Sequence, residues 1–241
     1  MSSRVGFFVG LLASASMANA QLVDHFNPPR GDQSQDWGQL ARYHGDNQRL
    51  RALRSEAGRV VFFGDSITEG WRLAQSFPGK PYVNRGISGQ TTPQMLLRMF
   101  ADVIELKPAA MILLAGTNDI AGNTGPATLT QIGHNLQAMT ELAHAHGIKV
   151  ILCTLAPVSD YTPTKQTARR PPADILRLNA WIKEYAAKSK TVVADYYSAL
   201  VDEKGMLRQG FADDGLHPNA KGYARIAPVA TAAIQQALAA K

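Results

Sequence analysis

A serine, an aspartate and a histidine occur in this sequence in settings that suit nucleophilic chemistry on an acyl group. Ser66 lies in the segment Phe-Phe-Gly-Asp-Ser-Ile-Thr-Glu at 62–69, directly after the apolar pair Val60-Val61. This pattern predicts a buried strand followed by a tight turn that presents the serine hydroxyl at the start of a helix. His217 closes the segment Asp214-Gly215-Leu216-His217 and has a carboxylate three residues before it. A hydroxyl, an imidazole and a carboxylate are the minimum set for acyl transfer by a serine.

His217 is the predicted base for Ser66, because a hydroxyl becomes a good nucleophile only when a base takes its proton. Imidazole titrates near neutral pH, at about 6.5 in model peptides, which suits that task. Asp214 would hold the imidazole in the correct tautomer and stabilise its charged form. The neighbouring Asp213 is the competing carboxylate, and both aspartates remain candidates at this point.

Strand and helix patterns alternate along most of the chain. The predicted strands are Arg59–Gly64, Tyr82–Asn84, Ala109–Ala115, Lys149–Leu155 and Thr191–Asp195. The third and fourth are apolar almost throughout, which is typical of strands covered on both faces. The predicted helices are Asp36–Arg54, Thr92–Leu106, Ala127–His146, Ala173–Ser189 and Pro218–Ala240. This alternation predicts a single α/β domain with a parallel sheet and right-handed crossovers.

The candidate groups all follow the ends of predicted strands. Ser66 follows the first strand, Gly89 the second and Asn118 the third, and Asp214 and His217 lie beyond the fifth. The carboxyl ends of parallel strands share one edge of the sheet, where such folds bind ligands, so groups distant in sequence can meet there. The negative oxygen of a tetrahedral intermediate could then accept hydrogen bonds from the backbone N–H groups of Ser66 and Gly89 and from the side-chain amide of Asn118.

Each of these residues also has a purely structural explanation. Ser66 could be a helix N-cap, Asn118 a turn residue and Gly89 a backbone position with positive φ. Asp214-Gly215 could be an ordinary turn. Taken singly, the structural explanations are favoured, but their joint occurrence at one predicted sheet edge favours catalysis.

Four motifs occur in a fixed order along nearly the whole chain beyond residue 20. They are Gly64-Asp65-Ser66, Asn84-Arg85-Gly86-Ile87-Ser88-Gly89, Gly116-Thr117-Asn118-Asp119 and Asp214-Gly215-Leu216-His217. In this order they resemble the four sequence blocks of the GDSL, or SGNH, hydrolase superfamily. The resemblance implies a flavodoxin-like, three-layer α/β/α sandwich with a five-stranded parallel sheet. It also implies ester hydrolysis, with Ser66, Asp214 and His217 as the triad and Ser66, Gly89 and Asn118 as the oxyanion hole.

The α/β-hydrolase fold is the structural rival, because it has the same order of serine, aspartate and histidine along the chain. However, no Gly-x-Ser-x-Gly motif surrounds Ser66, and the nucleophile follows the first predicted strand. The three-residue spacing between Asp214 and His217 also differs from that of two residues delivered by separate strands. The sequence therefore favours the GDSL-type fold.

The first and last motifs narrow the expected substrate. Gly-Asp-Ser-Ile-Thr-Glu-Gly-Trp at 64–71 and Asp-Gly-Leu-His-Pro-Asn at 214–219 resemble the platelet-activating-factor-acetylhydrolase-like branch and the secreted carbohydrate acetylesterases. Both branches imply short acyl groups, so we expect a serine esterase that removes acetyl groups from a small-molecule or glycan ester. A lysophospholipase or thioesterase for long acyl chains is the alternative enzyme. A catalytically inactive carbohydrate-binding protein is the alternative of another class, and the intact set of five groups argues against it.

The first 20 residues predict export. Arg4 precedes an apolar run over 5–15, and Ala18-Asn19-Ala20 forms a small-x-small cleavage site. This pattern indicates a secretory signal peptide over 1–20, cut before Gln21, with the hydrolase domain spanning 21–241. The apolar run is too short to span a bilayer, which argues against a stable membrane anchor. The mature protein is expected in a periplasm or outside the cell.

Composition argues against several other classes of protein. The formal net charge is +6, but the basic residues are scattered, so no nucleic-acid interface is expected. Cys153 is the only cysteine and lies in a predicted core strand, which favours a small buried side chain over a reactive thiol. No cluster of Cys or His has metal-ligand spacing, so the sequence predicts neither a metal nor another cofactor.

Several polar and aromatic residues receive predictions outside the catalytic set. Asp65 is expected to shape the turn before Ser66, and Asn84 is expected to be structural. The proline-broken segment 157–174 follows the fourth strand and should rim the site, either contacting substrate or exposed to solvent. Trp71 either packs in the core or lines the pocket. Three histidines are expected at the surface of one helix: His134, His144 and His146.

Overall fold

A five-stranded parallel sheet forms the centre of the protein. The computed structural model describes residues 34–53 and 57–240, so the predicted signal peptide lies outside the described residues. The strands are β1 (Val60–Gly64), β2 (Tyr82–Gly86), β3 (Ala110–Leu114), β4 (Lys149–Cys153) and β5 (Val192–Ala194). Their order is β2-β1-β3-β4-β5, and all neighbours are parallel. The predicted fold class, with five parallel strands, is confirmed.

Helices cover the sheet on both faces. They are α1 (His44–Ala52), α2 (Ser66–Glu69), α3 (Leu73–Ser76), α4 (Thr92–Asp102), α5 (Thr117–Ile120), α6 (Leu129–Ala145), α7 (Pro172–Ser189), α8 (Tyr196–Leu200) and α9 (Ala220–Ala239), with a 3₁₀ turn at Ile104–Leu106. Helix α6 packs between α4 and α7 in one layer, whereas α9 packs against α3 and α8 in the other. This division follows from the right-handed crossovers. The chain crosses the sheet in one direction from β1 to β2 and in the opposite direction from β2 through β3 to β5, so the connecting helices lie on opposite faces.

The register of the sheet brings three strand ends to the same level. Gly64, the last residue of β1, pairs with Gly86 at the end of β2 and with Leu114 at the end of β3. All residues of β1 and β3 are buried, because both faces of these central strands are covered by helices. The loops that follow β1, β2 and β3 therefore begin side by side.

The predicted helix over 36–54 is wrong in its first part, because α1 begins only at His44. The Asp36 carboxylate accepts the backbone N–H groups of Leu40 and Ala41, both at 2.8 Å, and so fixes a compact turn. Gln39 has a φ of 55°, a left-handed conformation that cannot continue a right-handed helix. The apolar spacing of this segment predicted a helix, but side-chain hydrogen bonding to the backbone decided the outcome.

Trp71 packs in the core, where it is 3% exposed, and it also lines a cavity together with Pro218 and Tyr223. It stacks on Tyr223 with ring centroids 5.3 Å apart and meets Phe62 edge to face at 5.6 Å. His134, His144 and His146 are exposed, as predicted, with His146 capping the end of α6. In the part of the chain that the structure describes, no helix is both long and apolar enough to cross a membrane.

Candidate active site

The turn between β1 and α2 presents Ser66. The Asp65 carboxylate caps α2 by accepting the backbone N–H of Ile67 at 2.9 Å, so Ser66 becomes the first residue of the helix. Gly64 is required by a close approach, because a Cβ atom there would lie 2.1 Å from Thr68 Oγ1. The sequence Gly-Asp-Ser therefore makes a sharp turn with the serine at a helix N-terminus, where N–H groups favour negative charge.

The loop before α9 brings Asp214 and His217 to this turn. Asp214 Oδ2 lies 2.5 Å from His217 Nδ1, and His217 Nε2 lies 2.9 Å from Ser66 Oγ. A carboxylate only accepts hydrogen bonds, so the ring proton is placed on Nδ1, which leaves Nε2 to accept the serine proton. The structure thus brings together Ser66, Asp214 and His217 in the order that acyl transfer requires.

The Asp214 carboxylate is held by its own loop. Its Oδ1 atom accepts the backbone N–H groups of Leu216 at 2.9 Å and of His217 at 2.8 Å. Burial alone would raise the pKa of Asp214, but hydrogen bonds from the His217 ring and from the two backbone N–H groups outweigh it and lower that pKa. Asp213 contacts Asn219 Nδ2 instead, at 2.9 Å, so only Asp214 is placed to orient His217.

Asn118 lies on the one-turn helix α5, directly after β3, and is 3% exposed. Its Nδ2 atom donates to the backbone oxygen of Gln90 at 3.0 Å, and its Oδ1 atom accepts Nη2 of Arg170 at 3.2 Å. One amide N–H is therefore occupied, and no residue of the described chain accepts the other.

Gly89 lies in the loop between β2 and α4 with a φ of +78°, a conformation that side chains other than glycine rarely adopt. Its oxygen accepts Asn123 Nδ2 at 3.0 Å, and the preceding Ser88 donates its backbone N–H to Glu69 Oε2 at 2.9 Å. Glu69 also pairs with Arg42 at 2.8 Å. Hydrogen bonds to Asn123 and Glu69 thus hold the loop, and Gly89 lies at the same sheet edge as Ser66.

Asp65 and Asn84 hold the turn, as predicted. Asn84 Nδ2 donates to the backbone oxygens of Thr68 at 2.7 Å and Trp71 at 3.1 Å, which secures the end of α2. Asp65 is completely buried, and its Oδ2 atom has no hydrogen-bond partner among the described residues. Burial raises the pKa of Asp65 to about 6, although the N–H of Ile67 opposes this shift.

The segment between β4 and α7 contacts the site through part of its length. Gln166 Nε2 donates to the backbone oxygen of Asp214 at 3.1 Å, and Arg170 reaches Asn118. Tyr161 bonds instead to Asp202 at 2.6 Å, and Lys165 bonds to the backbone oxygen of Asp160 at 2.6 Å. Ser159, near the start of the segment, also donates its backbone N–H to the oxygen of Gly215 at 2.9 Å, so both halves of the segment contact the loop of Asp214 and His217.

Sequence analysis missed the supporting residues Glu69 and Gln90, although Glu69 lies inside the first motif. Gln166 and Arg170 lie in the segment 157–174 that was expected to rim the site, but their individual contacts were not predicted. Among the described residues, no group of three or more His, Cys, Asp or Glu side chains could hold a metal ion. Cys153 is buried, and burial raises the pKa of its thiol to about 12, so it is not a nucleophile at neutral pH.

Comparison with known proteins places this geometry in a family. The model of the GDSL-like lipase/acylhydrolase family matches residues 62–225, from β1 into α9. The matched range includes Ser66, Asp214 and His217. The chain belongs to this family. Membership agrees with the order of motifs and with the sheet topology, and it makes the protein a relative of carboxylic ester hydrolases.

Three relatives illustrate the range of the family. A solved GDSL-like lipase from Bacteroides thetaiotaomicron is 38% identical, with a TM-score of 0.76 over 83% of this chain and 99% of that chain. Esterase TesA from Pseudomonas aeruginosa is 29% identical over 70% of this chain and 84% of its own length. An acetylxylan esterase from Xylanibacter ruminicola is 23% identical over 86% of this chain but only 51% of its own length.

Proposed function

We propose that this protein is an exported serine ester hydrolase that removes short acyl groups, most simply acetyl, from a carbohydrate ester. The observation that carries the proposal is the continuous chain of contacts from Asp214 through His217 to Ser66, with distances of 2.5 Å and 2.9 Å. Such a chain activates a hydroxyl that is otherwise a poor nucleophile.

In the proposed reaction, Ser66 Oγ attacks the carbonyl carbon of the ester while His217 Nε2 takes the hydroxyl proton. The tetrahedral intermediate collapses as His217 returns this proton to the departing alcohol, which leaves an acyl-serine. Water then attacks the acyl carbon, with His217 again accepting a proton, and the carboxylic acid leaves as the serine is restored. Asp214 stays ionised and stabilises the imidazolium in both halves of the reaction.

Three donors are proposed to hold the negative oxygen of each intermediate. They are the backbone N–H groups of Ser66 and Gly89 and the second N–H of the Asn118 amide. The positive φ of Gly89 and the anchored amide of Asn118 support this assignment, because both donors are fixed before substrate arrives. Donors that are organised in advance stabilise developing charge without reorganisation during the reaction.

The acetyl and carbohydrate parts of the proposal are supported by two observations. The first and last motifs resemble those of carbohydrate acetylesterases, and an acetylxylan esterase is among the sequence relatives. Export is supported by the charged start, the apolar run and the small-x-small site within residues 1–20. An exported esterase would meet acetylated polysaccharides outside the cytoplasm.

The test is hydrolysis of a p-nitrophenyl acetate substrate, together with acetate release from acetylated xylan, by the wild type and by Ser66→Ala. We expect the wild type to turn over both substrates and the variant to lose at least about a thousandfold in kcat, because the nucleophile is absent. A fluorophosphonate should label the wild type at Ser66. Labelling of another residue, or near-normal activity of Ser66→Ala, would refute the serine mechanism.

A further inference from the structure

Arg170 is a buried cation that lacks a paired carboxylate. Its residue is 5% exposed, yet no carboxylate of the described chain lies within salt-bridge distance of its guanidinium. The buried Arg98, in contrast, pairs with Asp102 at 2.8 Å. Burial lowers the pKa of Arg170 and the nearby Arg169 adds to this effect, whereas the more distant carboxylates of Asp65 and Asp214 oppose it. Because burying an unpaired charge costs free energy, packing alone does not explain the position of Arg170.

The Arg170 side chain is connected by hydrogen bonds to residues of the candidate active site. Nη2 donates to Asn118 Oδ1 at 3.2 Å, and Nη1 donates to Gln166 Oε1 at 2.9 Å. Gln166 in turn donates to the backbone oxygen of Asp214 at 3.1 Å. The Nε atom is buried and has no partner among the described residues. One guanidinium thus connects the loop of Asp214 to the amide of Asn118.

The orientation of the Asn118 amide depends on this contact. The Gln90 carbonyl can only accept a hydrogen bond, and the guanidinium can only donate one, so Nδ2 must face Gln90 and Oδ1 must face Arg170. In that orientation the second N–H of Nδ2 is directed by two fixed contacts. Without Arg170, only the hydrogen bond to Gln90 would hold the amide, and rotation about the Cβ–Cγ bond of Asn118 would be less restricted.

We propose that Arg170 is a positioning residue for the oxyanion hole, acting through Asn118. It fixes the amide so that the free N–H meets the negative oxygen, and its charge polarises the amide and makes that N–H a stronger donor. This inference rests on the proposed function of Asn118 and adds to it a residue that does not touch the substrate.

The experiment compares Arg170→Met, which keeps an extended side chain but removes charge and donors, with Arg170→Lys, which keeps the charge. On p-nitrophenyl acetate, we expect Arg170→Met to lower kcat by about tenfold with KM changed by less than about twofold, because the oxyanion exists only in the transition state. Arg170→Lys should recover part of the loss. Arg177→Met is the matched control, because Arg177 is exposed and pairs only with Asp174, and its kinetics should equal those of the wild type.

A double-mutant cycle with Asn118→Ala separates this role from a general structural one. If Arg170 acts through Asn118, Arg170→Met should lower kcat by less than about twofold when Asn118 is already alanine. Equal losses in both backgrounds, or a loss confined to KM, would overturn the inference. Should Arg170→Met fail to fold, as judged by near-ultraviolet circular dichroism, the same cycle is run with Arg170→Lys. A Ser66-dependent wild type with normal Arg170 variants would refute this inference alone, whereas activity independent of Ser66 would refute the proposed function.

Discussion

His217 Nε2 lies 2.9 Å from Ser66 Oγ although 151 residues separate the two in the sequence. Two elements from opposite ends of the described chain create this contact: the turn after β1 and the loop before α9. Tyr223 on α9 secures the arrangement by donating its hydroxyl to the backbone oxygen of Ile67 on α2 at 2.8 Å. The distance between the two side chains is therefore set by helix packing as well as by the loops that carry them.

The first prediction concerns the choice between two neighbouring aspartates. Asp214→Asn should lower kcat by at least about a thousandfold, because an amide at this position can present its N–H to His217 and favour the wrong tautomer. Asp213→Asn should stay within about threefold of the wild type, because Asp213 contacts Asn219 and not His217. Steady-state kinetics on p-nitrophenyl acetate measure both. Equal losses in the two variants would contradict the assignment of Asp214.

The second prediction concerns Asn118. Asn118→Ala should lower kcat by about 10²–10³-fold with little change in KM, because its free N–H would meet a charge that exists mainly in the transition state. A thermal melt should accompany the kinetics, since the variant also loses the hydrogen bond to Gln90. If KM rises while kcat is unchanged, Asn118 binds substrate and is not part of an oxyanion hole.

The third prediction concerns acyl length. A pocket built for acetyl gains from one methyl group but must exclude longer chains, so kcat/KM for p-nitrophenyl acetate should exceed that for the octanoate by at least about tenfold. A lysophospholipase or thioesterase would show the reverse order, since each added methylene would contribute about 0.8 kcal/mol of binding. A series of esters from acetate to octanoate decides between them. An octanoate optimum would leave the roles of Ser66, Asp214 and His217 unchanged.

The fourth prediction concerns Asp65 and the dependence of stability on pH. Burial raises its pKa from 3.8 to about 6, so the native state binds this proton more tightly than the unfolded chain does. The resulting stabilisation is present below about pH 4 and is lost as pH rises through about 6, a change of about 3 kcal/mol in the free energy of unfolding. Asp65→Asn keeps an acceptor for the N–H of Ile67 but carries no ionisable proton.

Relative to the wild type, Asp65→Asn should therefore be more stable at pH 8 than at pH 4, by up to about 3 kcal/mol. Urea unfolding of both proteins at the two pH values measures the difference. If the stability difference between variant and wild type is the same at both values, Asp65 does not titrate differently in the native and unfolded states.

The fifth prediction concerns the fully buried pair of Arg98 and Asp102, in which Arg98 Nη1 lies 2.8 Å from Asp102 Oδ2. Arg98 also donates to the backbone oxygens of Gly64 at 3.0 Å and Arg85 at 2.9 Å. Arg98→Met should lower the free energy of unfolding by about 3–5 kcal/mol, because Asp102 would remain buried without its cation.

The exposed pair of Arg177 and Asp174 is the control for this effect. Arg177→Met should change the free energy of unfolding by less than about 1 kcal/mol, since solvent screens the pair. Replacing both members of the buried pair, with Arg98→Met and Asp102→Leu, should restore part of the lost stability, because no unpaired charge then remains. Urea unfolding of the three variants would contradict this account if the double variant were the least stable.

The sequence by itself determined the elements that follow local patterns. Apolar runs predicted β1 and β3, because strands covered on both faces have no polar side. The motifs around Ser66, Gly89, Asn118 and His217 could be placed at one sheet edge, because parallel strands with right-handed crossovers end at the same edge. Family membership followed from the same motifs.

Tertiary structure alone decided which groups are in contact. The family resemblance favoured Asp214 over Asp213, but only the path of the loop shows that the Asp214 carboxylate contacts the His217 ring. Arg170 lies in an exposed-looking basic cluster, yet it is buried against Asn118, 52 residues away in sequence. The turn at Asp36 replaced a predicted helix because its carboxylate bonds to the backbone. Such contacts depend on distant packing and on side-chain geometry, which apolar periodicity does not encode.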